Sequence, residues 1–99
     1  VNSNNNNIEK QHVDEVMTTI APNPADGIIT VNIDNPTGTL KTTTCELVII
    51  NLSGVQVHRE SVQLNVPKEI KVDRLKSGMY ICKIVADGRV VSAKKLEIR

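Results

Sequence analysis

The chain has 99 residues, 39% hydrophobic and 23% charged, with twelve Lys and Arg against eleven Asp and Glu for a net charge of +1. That length fits one domain able to bury roughly two-thirds of its unfolded surface, and the hydrophobic content is too high for a disordered tail. The even charge, with no basic or acidic block, excludes the phosphate-binding footprint of a nucleic-acid-binding protein.

The apolar residues are almost all aliphatic. Thirteen Val, eleven Ile and six Leu stand against a single aromatic, Tyr80, with no Trp or Phe. β-Branched residues dominate that set, which favours strands. The lack of aromatics argues against base-stacking platforms and aromatic-lined ligand pockets. The longest aliphatic run, Leu47 to Ile50, is four residues, too short to cross a bilayer.

Residues 1–15 are polar and Asn-rich, with Asn2 and Asn4 to Asn7 forming a low-complexity stretch. They read as an inter-domain linker or processing region, or as a frayed terminus. The chain begins Val1-Asn2-Ser3 without Met, so a fragment or a processed product is expected. Ile8 to Met17 could form a helical turn or two, although its apolar residues make no stripe.

From residue 16 the pattern is one of short strands between turn signals. The first strand is expected at Val16 to Ala21, interrupted by Pro22-Asn23-Pro24, where two prolines remove backbone donors. Ile29, Val31 and Ile33 alternate with Thr30, Asn32 and Asp34 as a half-buried second strand, broken at Asn35-Pro36-Thr37-Gly38. The third, Cys45 to Leu52, is apolar on both faces, which predicts a central or covered strand.

Asn51-Leu52-Ser53-Gly54 reads as a tight turn, with Gly54 supplying a positive φ. It also matches a glycosylation sequon, for which the turn is explanation enough. The fourth strand, Val55 to Leu64, changes its apolar parity, which predicts a bulge near Arg59-Glu60. Ile70 and Val72 mark a fifth strand after Pro67, and Met79 to Ala86 a sixth after Gly78. Asp87-Gly88 predicts a type I′ hairpin turn into the last strand, Arg89 to Ile98. There the apolar parity shifts again, and a second bulge is expected at Lys94-Lys95. The expected fold is an all-β, Ig-like seven-stranded β-sandwich over residues 16–99, with strand order open.

No catalytic set is evident. His12 and His58 have no serine or cysteine motif to join, and no acidic spacing forms a calcium loop. No paired Cys or His spacing suggests zinc, and the five glycines fall at turns rather than in a phosphate loop. The chain is read as a non-enzyme without metal or cofactor. Cys45 and Cys82 share parity with inward residues, which leaves two readings. One is an inter-strand disulfide contributing ~3–5 kcal/mol in the chain-entropy model; the other is two small buried hydrophobes that never meet. Tyr80 reads by packing as a core aromatic with its hydroxyl at the rim.

Three landmarks then appear in order. Pro22-Asn23-Pro24 follows the first strand, and Leu47 to Gly54 forms a strand and turn. Leu75-Lys76-Ser77-Gly78-Met79-Tyr80-Ile81-Cys82 leads through Asp87-Gly88 to Lys94-Lys95-Leu96-Glu97-Ile98-Arg99. In combination these resemble the type A C-terminal sorting domain of the type IX secretion system of Bacteroidetes. Two positions depart from the usual pattern: Asn51 stands where Asp is more common, and Val55 where a basic residue is usual.

The resemblance implies a transport signal. Such domains are seven-stranded Ig-like sandwiches that follow a secreted passenger domain. They are recognised in the periplasm, carried through the outer-membrane translocon and removed by a surface sortase, leaving the passenger at the cell surface or outside the cell. The resemblance assigns the signal to Pro22, Asn23, Pro24, Gly54, Gly78, Tyr80, Gly88, Lys94, Lys95, Leu96 and Ile98. The last strand could present an edge to a partner, with Lys94 and Lys95 in the recognised surface; alternatively those lysines only guard the edge against aggregation. Two further readings are an Ig-like adhesion or carbohydrate- or protein-binding module, and a small secreted protein whose strand edge pairs with itself. A sorting signal must end its natural chain, whereas an adhesion module need not.

Overall fold

The computed structural model describes residues 16–35, 40 and 44–99. Seven strands follow in chain order: β1 (Met17–Ala21), β2 (Ile28–Asp34), β3 (Thr44–Asn51), β4 (Gln56–Gln63), β5 (Lys68–Lys71), β6 (Gly78–Ala86) and β7 (Arg89–Ile98). The described residues contain no helix. The expected Asn-rich region, nearly all of the helical turn at 8–17, and the break after Asn35 lie outside the described residues.

β1, β2 and β5 form one antiparallel sheet in the order β1-β2-β5, and the other four strands a second in the order β4-β3-β6-β7. The chain therefore crosses between sheets after β2, β4 and β5, as in immunoglobulin-like Greek keys. The difference from a constant-type immunoglobulin domain lies in β4, which stays hairpin-paired to β3 instead of joining the fifth strand. β3 is central, between β4 and β6, which accounts for its two apolar faces. On its outer side Val48 is 5% exposed, with the long side chains of Arg59 and Lys83 as cross-strand neighbours.

The core fills the space between the sheets. Ile29, Val31 and Ile33 from β2, with Ile70 and Val72, face Leu47, Ile49, Ile84, Leu96 and Ile98 from the larger sheet, and none exceeds 4% exposure. Each such side chain contributes ~1.5–3 kcal/mol of burial. Period-2 alternation is what places them there: β2 reads exposed-buried through Ile28 to Asp34 with every second residue inward.

The hairpin turns follow their residues. Asp87 and Gly88 have φ of 54° and 78°, the paired positive values of a type I′ turn. Gly54, at φ 86°, closes the β3–β4 turn by donating its amide to Asn51 O at 2.9 Å. The Oδ1 of Asn51 accepts from the amides of Ser53 at 2.9 Å and Val55 at 3.0 Å. An Asp at that position would present the same acceptor, so the departure at Asn51 preserves the turn.

Both expected bulges are displaced. In β4 the extra residue is Val57, since Ile49 faces His58 while Ile50 faces Gln56, and Arg59-Glu60 pair regularly. In β7 it is Val91, since Ile84 faces Ser92 while Val85 faces Val90, and Lys94-Lys95 pair regularly. The physical reason is common to both. β4 and β7 lie at the two edges of their sheet, where an inward position can hold a polar side chain that reaches the margin. His58 and Glu60 therefore share the inner side with Val62, and Lys94 shares it with Leu96 and Ile98. No irregularity is needed beside them to turn them outward.

The disulfide does not form: both thiols are free and buried. Cys82 faces Ile49, four positions along β3 from Cys45. At about 3.3 Å per residue that is ~13 Å, well beyond the ~7 Å limit on Cα separation for a disulfide.

Candidate functional site

The landmark residues converge on one end of the larger sheet. Asn51 pairs with Tyr80, Tyr80 with Leu96, and Gly78 with Ile98, so the β3–β4 turn, the start of β6 and the end of β7 are side by side. Gly54 lies in that turn. Gly88 stands apart, at the opposite end, in the β6–β7 hairpin.

Tyr80 is 7% exposed, and its hydroxyl donates to Lys76 O at 2.6 Å. A tyrosine near the start of the sixth strand, bonded back to the backbone four residues upstream, is the tyrosine corner of Greek-key sandwiches. The ring packs in the core with its hydroxyl at the rim, a strong preference of buried tyrosine. Gly78, two residues earlier, has a φ of 148°, which L side chains rarely adopt.

The Pro22-Asn23-Pro24 segment lies against the outer edge of β7. Asn23 Nδ2 donates to Lys95 O at 2.9 Å, and Asn23 Oδ1 accepts from the Glu97 amide at 3.0 Å. Two residues on, Ala25 makes a parallel bridge with Ile98, donating to Glu97 O at 2.7 Å and accepting from the Arg99 amide at 3.0 Å. The far end of β7 is thus a closed edge. Leu96 and Ile98 are buried in the core, whereas Lys94 and Lys95 are exposed. Thr18 Oγ1 donates to Ser92 Oγ at 2.8 Å, a buried tie between β1 and β7.

Sequence reasoning missed two things here. It read Pro22-Asn23-Pro24 as an interruption of the first strand and gave Asn23 no partner, when its carboxamide pairs with β7. The prolines on either side, which fix the local backbone and bar a regular strand, were the available signal. It also found no motif for His58 to join, where the structure shows a polar seam between the sheets. His58 Nδ1 accepts from Arg74 Nη2 at 2.6 Å, so its Nε2 carries the proton and donates to Glu60 Oε1 at 2.8 Å. Glu60 Oε2 pairs with Lys68 at 2.8 Å. Partial burial raises the Glu60 carboxyl, but hydrogen bonds from Lys68 and His58 outweigh it and hold the group below its ordinary value. Lys68 and Arg74 also donate to Ser61 O and Val57 O, covering carbonyls of β4 with cations.

The thiols are poor nucleophiles. Burial pushes Cys82 up to about 12, and burial together with the nearby Asp87 carboxylate raises Cys45. No cluster of three or more His, Cys, Asp or Glu able to hold a metal ion occurs among the described residues. No helix among them is long and apolar enough to cross a membrane.

A family model described as the secretion system C-terminal sorting domain matches residues 19–99. The chain belongs to this family. It is thus a sorting-signal domain of type IX secretion, from a family of address signals rather than enzymes. Membership implies interaction with the type IX machinery and export to the cell surface or the extracellular space. The match takes in all three landmarks, from Pro22 to Arg99. No curated protein matches the sorting domain.

Proposed function

We propose that this sorting domain directs an upstream passenger from the periplasm through the outer-membrane translocon, and that a surface sortase then removes it by cleavage within residues 1–15. The machinery reads the end of the sandwich where β7 finishes, with Lys94 and Lys95 as its charged contacts. The observation that carries this reading is the convergence of Asn23, Asn51, Gly78, Tyr80, Leu96 and Ile98 around that strand. The buried members hold the shape, and the exposed lysines remain available to a partner.

The domain is read as a folded label. Its information lies in a surface whose position is set by the core behind it: Leu96 and Ile98 fix β7 against the sandwich, and their neighbours 94 and 95 are thereby held at a defined place.

The test is to append residues 1–99 to a periplasmic reporter in a bacterium with a working type IX system. Surface or extracellular reporter, lost on Lys94→Ala/Lys95→Ala, supports the reading. A reporter held in the periplasm, while an established sorting domain exports it in the same strain, overturns it. Sortase removal is read separately, as loss of the domain's mass from the exported product.

A further inference from the structure

The contacts of Asn23 have the form of a ladder. In a parallel pair, a residue donates its N–H to, and accepts on its C=O from, the residues on either side of its opposite number. Ala25 does this with its own backbone across Ile98, bonding Glu97 O and the Arg99 amide. One ladder step earlier the same two bonds recur across Leu96, to Lys95 O and the Glu97 amide, but the donor and acceptor are Nδ2 and Oδ1 of Asn23. The side-chain amide replaces the backbone N–H and C=O that residue 23 of a regular strand would place there. The prolines on either side fix the local backbone, so the segment between them cannot run as an ordinary strand and the side chain of Asn23 takes the place of its backbone.

Edge strands otherwise present open N–H and C=O groups that exchange contacts and fray. Here the outer edge of β7 is closed from Lys95 O to the Arg99 amide by two residues that lie more than seventy positions earlier in the chain. The lysine pair sits at the boundary. Lys95 contributes its carbonyl to the Asn23 carboxamide, and Lys94 immediately precedes it.

We propose that Asn23 is a positioning residue for the signal: its carboxamide acts as a surrogate strand that fixes the backbone of Lys95 to Glu97, so that Pro22-Asn23-Pro24 acts on export through β7 and is not itself read. This rests on the sorting reading above. It also assigns the partner's contact to the lysine side chains, because the backbone edge beyond Lys95 is already occupied.

The experiment pairs reporter export with amide exchange on the 99-residue chain, for the parent and for Asn23→Ala, Asn23→Asp, Lys94→Ala/Lys95→Ala and Ile29→Val. Asn23→Ala is expected to speed exchange at the Glu97 amide about tenfold or more, to leave that at Ile84 within about twofold, and to cut export. Asn23→Asp is expected to fall between the two. It keeps an acceptor for the Glu97 amide but loses the donor to Lys95 O, and it serves as the informative variant should the alanine fail to fold. The lysine double variant should lose export with Glu97 protection intact, and Ile29→Val should lower Tm with export retained.

Loss of export in Asn23→Ala with Glu97 still protected would show that Asn23 is read directly, and would overturn the proposal. So would full export with that protection lost, or an equal loss of export in Ile29→Val at matched Tm. Failure of the parent chain to export the reporter is a different result, and refutes the sorting reading itself.

Discussion

The hydroxyl of Tyr80 reaches back to the carbonyl of Lys76 at 2.6 Å, which ties the start of β6 to the loop that feeds it. This bond joins the chain's one aromatic side chain to the connection that carries it from the smaller sheet to the larger. Removing only the hydroxyl, in Tyr80→Phe, should cost about 1 kcal/mol, since the freed carbonyl sits at the rim where water can replace the donor. Removing the ring, in Tyr80→Ala, should cost ~3–5 kcal/mol through the cavity it leaves. Urea unfolding of both variants checks the ratio; equal losses would mean that the hydroxyl rather than the ring holds the corner.

The turn at Asn51 makes a graded prediction. Asn51→Asp keeps the oxygen that accepts from Ser53 and Val55, and should leave the domain at least as stable as the parent. Asn51→Ala removes both bonds in an exposed turn, and should cost ~1–2 kcal/mol. Chemical denaturation resolves the two, and a stability loss in the Asp variant would contradict the acceptor role.

The thiols predict reactivity and an alkaline response. Two free thiols should titrate with a colorimetric reagent in denaturant without reductant, and neither should react in the folded domain at pH 8. The Cys82 thiol is raised by burial from 9.0 to about 12. Its folded value thus lies above the unfolded one, so its contribution is fully present below pH 9.0 and is lost as pH rises toward about 12. Cys82→Ala should flatten that part of the stability–pH curve.

Glu60 predicts the opposite limb. Its burial raises the carboxyl, but hydrogen bonds from Lys68 and His58 prevail, so the folded value lies below the unfolded one. The stabilisation is therefore present above the ordinary carboxylate range and is lost as pH falls through the lowered folded value. Glu60→Gln should lessen the acid sensitivity between neutral pH and pH 3, measured as Tm against pH. An unchanged slope would mean that the seam between the sheets contributes nothing measurable.

The sequence by itself determined what depends on neighbouring residues. Alternation at Ile29, Val31 and Ile33 marked a half-buried strand, the doubly apolar run at Leu47 to Ile50 marked a central one, and Asp87-Gly88 specified its turn. Period-2 parity and turn chemistry are local, so they can be read from a few adjacent side chains. The family landmarks were legible for the same reason, as short strings in a fixed order.

Only the tertiary structure decided what those strings do together. The bulges fall at Val57 and Val91, not beside Arg59-Glu60 and Lys94-Lys95, because edge strands let His58, Glu60 and Lys94 take inward positions. Whether Cys45 and Cys82 could meet depended on the β3–β6 register, which parity leaves open. The bond from Asn23 to β7 joins residues at opposite ends of the domain, and nothing in either string names the other. Long-range pairing is set by how two sheets stack and where their edges fall, and that information belongs to the assembled core.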